Sequence, residues 1–210
     1  MNRKEELANF QRSKAEQEAI NKACKFHPTS KSELLKLVRE PKINLGEIDT
    51  SKITAMSGLF YDCKREDFSG IEKWDISKVT DMSGMFLQCT AFNQPIGDWD
   101  VSKVENMIDM FAGCKNFDQP IGSWDVGKVT NMSCMFFKCR NFNQDLNDWC
   151  VREDCYTDYI FEKTAQSYEN VNKAFTQDQL QVCGSEKIIK ALNNEKEQKQ
   201  ETKKVKGAHL

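Results

Sequence analysis

Histidine is scarce in this chain, with two in 210 residues. His27 and His209 both lie outside the repeated region described below. A cysteine or serine nucleophile in the repeats therefore has no neighbouring base. The nine cysteines also lack the imidazole, or the CxxC pairing, that would complete a thiolate metal site. No phosphate-cradling glycine motif is present. The sequence is thus read as having no catalytic residues, no cofactor and no metal, and an enzyme is the least favoured class.

No apolar run approaches the length of a membrane span, so no membrane insertion is expected. Net charge is −2, and acid alternates with base without forming a basic stripe, which excludes a nucleic-acid partner. The first residues, Met1 to Glu6, are charged and lack the apolar stretch of a secretory signal, which points to the cytoplasm. An odd cysteine count without an export signal favours free thiols.

What the chain does have is one phrase written again and again. Trp74-Asp-Ile-Ser-Lys-Val-Thr-Asp-Met-Ser-Gly-Met-Phe is followed by matching runs from Trp99 and Trp124, 25 residues apart (99−74 and 124−99). An earlier copy starts at Ile48 and is one residue longer, Lys52 to Lys78 being 26. The extra residue falls near Lys64-Arg65-Glu66-Asp67, a loop where insertion is expected to be tolerated. A fixed period of this size means stacked coils whose apolar residues shelter one another. Val104, Met107, Met110, Phe111 and Cys114 are spaced like one face of a short helix. Ser102 with Glu105 is spaced as its capping box, and Ser51 and Ser77 stand at the same place in their copies. Phe117 to Trp124, with Pro120 and Gly122, reads as an extended piece and a turn. Each unit is therefore predicted to be one extended piece plus one short helix.

The domain reading follows: an N-terminal polar helix in 1–25, an N-terminal cap in 26–47, repeats over 48–161, a helical cap in 162–192 and a disordered tail in 193–210. Within the cap, Ser30 and Glu33 are spaced to start a helix over 29–40, and Ile43 to Ile48 alternates like a strand.

Equivalent positions in stacked coils form columns. The tryptophans (Trp74, Trp99, Trp124, Trp149), the methionines and the phenylalanines read as core. The column Cys63, Cys89, Cys114, Cys139 reads as small buried hydrophobes rather than ligands. Asp49, Asp75, Asp100 and Asp125 run beside Lys52, Lys78, Lys103 and Lys128, so the two rows are expected to neutralise each other. Asp is also expected to hydrogen-bond the turn. Asn93, Gln94, Asp118, Gln119, Asn143 and Gln144 lie between buried neighbours. They are the candidate binding face, with coil-to-coil hydrogen bonding as the equal alternative.

The phrase "WDVSKVTxMSxMF" followed by "FNQPIGxWD" resembles the BspA-like leucine-rich repeats, the 25-residue kind found in many bacterial surface proteins and in some protist and viral ones. The resemblance spans about residues 26–161. It implies an α/β fold, a right-handed leucine-rich-repeat-like solenoid of about four strand-turn-helix coils with helical caps. For function it implies protein recognition or surface attachment without catalysis. The expectation is a protein partner of unnamed identity, with a cell-surface adhesin as the alternative. Location stays open between cytoplasm and cell surface.

Overall fold

The computed structural model describes residues 13–61, 63, 65–146 and 148–165. The start of the expected N-terminal helix, nearly all of the expected helical cap in 162–192 and the expected tail in 193–210 lie outside the described residues.

Ser13 opens helix α1 (Lys14–Ala23) with a capping box: its hydroxyl accepts the Glu16 N–H, and the Glu16 carboxylate accepts the Ser13 N–H. None of α1's residues is buried, so polar contacts rather than an apolar stripe hold it. Helix α2 (Lys31–Arg39) starts at Ser30, whose hydroxyl accepts the Glu33 N–H. The Glu33 carboxylate turns to the Thr29 N–H at 2.7 Å. Leu34 and Val38 on α2 join the core of the coils and close its N-terminal end. The strand-like run after α2 is instead a 3-10 turn, Leu45–Glu47. The Asn44 side chain accepts the Gly46 N–H at 2.8 Å and curls the backbone out of the extended form.

The repeats are not strand-turn-helix coils. Among the described residues α1 and α2 are the α-helices and no strand is present, which overturns the expected α/β leucine-rich-repeat-like solenoid. Successive copies instead touch through single parallel bridges: Ala55 to Asp81, Asp81 to Asn106, Asn106 to Asn131 and Asn131 to Tyr156. The coils are 48–73, 74–98, 99–123 and 124–148, followed by a partial fifth.

The stretch read as a helix is a ribbon of turns. In the second coil the N–H groups of Met82, Gly84, Phe86 and Gln88 donate to carbonyls of the next coil, those of Asn106, Ile108, Met110 and Ala112. The N–H groups between them, of Met85, Leu87 and Cys89, close turns on the carbonyls of Met82, Gly84 and Phe86. Every fourth residue is left-handed: Gly84 at φ 57° and Gln88 at 65°, then Asp109 and Gly113, Cys134 and Lys138, Tyr159 and Lys163. An α-helix would keep φ negative and send each N–H back four residues. Four-residue turns return the chain to the same face almost as often as a helix does. Met82, Met85, Phe86 and Cys89 therefore fit both patterns. The predicted capping box of Ser102 caps nothing; the Ser102 N–H donates to Asp100 Oδ1 at 3.1 Å.

Each coil places a Trp, and two Phe rings in most copies, inside. Phe60, Phe86, Phe111, Phe136 and Phe161 form one stack with centroids 5.4, 5.6, 5.7 and 5.7 Å apart and rings within 8° of parallel. Phe92, Phe117 and Phe142 form a second stack against it, with centroids 3.8 to 4.1 Å from the first within each coil. A fully buried Phe is worth about 1.5–3 kcal/mol, so this double column dominates the core. Gly97 and Gly122 let neighbouring coils meet. A Cβ there would lie 2.5 Å from the Pro120 carbonyl oxygen and 2.4 Å from that of Asp145.

In the fifth coil Asp154 falls in the register of the buried Val79, Val104 and Val129. Its carboxylate turns to the surface and takes a two-pronged contact from Arg152 at 2.8 Å, and Cys155 fills the core instead. Tyr156 still bridges Asn131, so the stack continues through Phe161.

Candidate functional site: polar rows on the flanks of the coil stack

The candidate face Asn93, Gln94, Asp118, Gln119, Asn143 and Gln144 forms a row across three coils. It is knitted from coil to coil. Asn93 Oδ1 accepts the Asp118 N–H at 3.0 Å and Gln119 Nε2 at 2.9 Å. Asp118 Oδ1 in turn accepts the Asn143 N–H at 2.9 Å and Gln144 Nε2 at 2.7 Å. Asn93 and Asn143 are exposed and Gln94, Gln119 and Gln144 are half-buried. The row thus has a supporting role in stacking and still reaches the surface. Beside it runs a groove of about 440 Å³ along Pro95, Gly97, Pro120, Gly122 and Gln144.

The Asp–Lys rows are built differently from expectation. Each Asp caps its own turn: Oδ1 of Asp49, Asp75, Asp100 and Asp125 accepts the N–H two residues on, at 2.9 to 3.1 Å. Among the described residues no ion pair joins an Asp of this row to a Lys of the neighbouring row. Lys78 Nζ instead donates to the Ser51 carbonyl at 2.8 Å. The Asp side chain is already committed to the turn, which directs its second oxygen outward.

Those outer oxygens are occupied at the N-terminal end. Asp49 Oδ2 lies 3.0 Å from His27 Nδ1, and Asp75 Oδ2 accepts Asn21 Nδ2 at 3.2 Å. Burial pushes the Asp49 carboxyl upward, but hydrogen bonds from Ser51 and His27 outweigh it and leave it below the usual range. Asn21 is on α1, and one turn earlier Gln17 Nε2 donates to the Lys73 carbonyl at 3.0 Å. So α1 lies along the flank, docked by two amides four residues apart. A groove of about 680 Å³ opens beside it, with Gln17, Glu18 and Asn21 on one wall and Asp75, Asp100 and Lys103 on the other. The sequence reading of α1 as loosely attached missed this contact. The Gln17/Asn21 spacing was its one visible sign.

The cysteine column is inert. Cys89, Cys114 and Cys139 are buried, and each Sγ donates to a Phe carbonyl in the preceding coil, at 3.1, 3.0 and 2.8 Å. Burial pushes the Cys89 and Cys139 thiols up to about 12 and Cys114 well above its ordinary value. Cys63 is half-buried. Cys150 is disulfide-bonded, unlike the free thiols at Cys24, Cys63, Cys89, Cys114, Cys134, Cys139 and Cys155.

Two features escaped the sequence. Arg65, in the loop expected to tolerate insertion, is buried and donates to the carbonyls of Val38, Glu40, Ile43 and Asp67. It ties the end of α2 to the first coil. Trp99 is the one indole whose N–H has no partner among the described residues. Trp74, Trp124 and Trp149 each donate to a carbonyl 28 or 29 residues earlier. The equivalent carbonyl for Trp99 would be that of Ile71, which starts a 3-10 turn after the left-handed Gly70 in the longer first copy. The irregular copy breaks the register of that bond.

Among the described residues no cluster of His, Cys, Asp and Glu is arranged to hold a metal ion. These features define the class: a repeat protein of stacked turn-built coils with polar rows on its flanks. The chain belongs to the family described as Mycoplasma protein of unknown function, DUF285, whose model matches residues 54–175, which is 122 of 210 positions (175−54+1). No curated protein and no solved structure matches it.

Proposed function

We propose that this chain is a non-catalytic protein-binding module, in which the coil stack holds rows of polar groups at fixed spacing for another protein to contact. The observation that supports the reading is α1. A helix without a single buried residue lies against the flank through amide contacts to row acceptors. A surface that takes one polypeptide helix in this way has the chemistry to take another. The resemblance of the repeat to BspA-like repeats, with their recognition role, points the same way. The test is affinity capture with the full chain followed by cross-linking mass spectrometry. Recovery of one partner, cross-linked to the flank rows, is the expected result. No specific partner, or cross-links scattered over the surface, would refute the proposal.

A second reading, a surface adhesin, is favoured by Cys150, because disulfides persist in oxidising compartments. Localisation of the native protein with thiol trapping tests it. A chain found wholly reduced inside the cell would reject the adhesin reading and leave the binding module intact.

A further inference from the structure

The outer carboxylate oxygens of the aspartate row are filled in order from the N-terminal end. His27 takes Asp49, and Asn21 takes Asp75. In the next two coils, Asp100 and Asp125 use Oδ1 for the same turn bond, and no hydrogen bond or ion pair engages their Oδ2 among the described residues. The second acceptor used by α1 recurs as well. Lys73, whose carbonyl takes Gln17, is replaced 25 residues on by Asp98, and Asp98 together with Asp100 lines the open groove beside α1. The groove therefore continues, one coil further along, the acceptor pair that α1 already uses.

We infer that this groove, over the second and third coils, is a docking site for a polar α-helix of a partner protein. The helix carries two carboxamide side chains four residues apart and lies alongside α1 in the same register. Residues four apart share one helix face, so both amides can reach a carbonyl and a carboxylate on adjacent turns of the coil. The groove walls carry both signs, Lys14 and Lys103 with Glu18 and Asp100, which suits a helix of mixed charge rather than a polyanion or polycation. The inference rests on the protein-binding reading above and adds the place and the kind of segment bound.

The probe is a lactam-stapled peptide with the sequence of residues 13–24, since an unconstrained helix this short is marginal in water. It is titrated into the full isotope-labelled chain and followed by amide NMR. Saturable shifts are expected at Ser102, whose N–H is held by Asp100, and not at Asn143 on the opposite row. Asp100→Asn keeps Oδ1 for the turn and turns the outer acceptor into a donor. It should weaken binding at least tenfold while the rest of the spectrum stays native. A peptide with both amides replaced by alanine should lose binding similarly. Absence of saturable shifts, equal binding by the alanine peptide, or shifts confined to Ser77 through exchange with α1 would each overturn the assignment. In parallel, a partner captured by the wild-type chain should be lost with Asp100→Asn. Undiminished capture would overturn the groove while leaving the protein-binding reading standing, whereas no capture by either chain would count against that reading itself.

Discussion

Replacing Arg65 should loosen the N-terminal end of the molecule out of proportion to its place in an irregular loop. Its guanidinium makes five hydrogen bonds to four backbone carbonyls, the shortest to Glu40 at 2.6 Å. Among the described residues no carboxylate pairs with it as an ion pair, so the carbonyl dipoles carry the compensation for its burial. Arg65→Ala removes the donors and leaves the carbonyls facing a space the side chain filled. A stranded buried acceptor costs about 1–3 kcal/mol. The bond to Val38 is buried and those to Glu40 and Ile43 are partly so; water can rescue the latter. A loss of about 3 kcal/mol is therefore expected, and Arg65→Lys should lose about half of that, because a point charge cannot span the same fork of acceptors. Urea unfolding reads the stability, and hydrogen exchange should show α2 amides losing protection before those of the third and fourth coils. A change below about 0.5 kcal/mol in Arg65→Ala, the range of an ordinary surface substitution, would refute the clamp.

Gly97→Ala and Gly122→Ala should each destabilise by about 1–3 kcal/mol in urea unfolding, since the added carbon meets a neighbouring carbonyl that cannot swing away. Asp109 combines a left-handed φ of 55° with a carboxyl that burial pushes upward. Asp109→Gly should therefore stabilise by about 1 kcal/mol, read as a raised urea midpoint. The folded state disfavours ionised Asp109, so its destabilising effect is absent below the unfolded value and complete above the raised folded one. Asp109→Asn should abolish that part of the fall in stability as pH rises. Asp49 acts with the opposite sign. Its lowered carboxyl contributes stability above the unfolded value of 3.8, lost as pH falls through the folded one. His27→Ala should shrink that contribution in acid titrations. Iodoacetamide at neutral pH should leave Cys89, Cys114 and Cys139 unmodified in the folded chain and label them in denaturant, as mass spectrometry would show.

The repeat was open to reading because the coils' needs are written in side chains. An indole every 25 residues, the Phe columns and the small Cys column can be seen without coordinates, as can the glycine of Pro-Ile-Gly. Burial of these groups is a demand that each residue makes alone. The start of α2 at Ser30 was equally local, because a cap depends on three or four neighbouring residues.

What only the tertiary structure decided is where the backbone N–H groups go. Met82, Met85, Phe86 and Cys89 satisfy a helix and a turn ribbon alike. The choice is made by carbonyls of the next coil, which accept every second N–H and leave no ladder for a helix. The same holds for the flanks. Asp75 shows in the sequence as one of a row, but its partner Asn21 is 54 residues away, and the carbonyls gripping Arg65 lie as far back as Val38. Hydrogen bonds between distant segments have no spacing of their own in the chain, so they appear only when the coils are stacked.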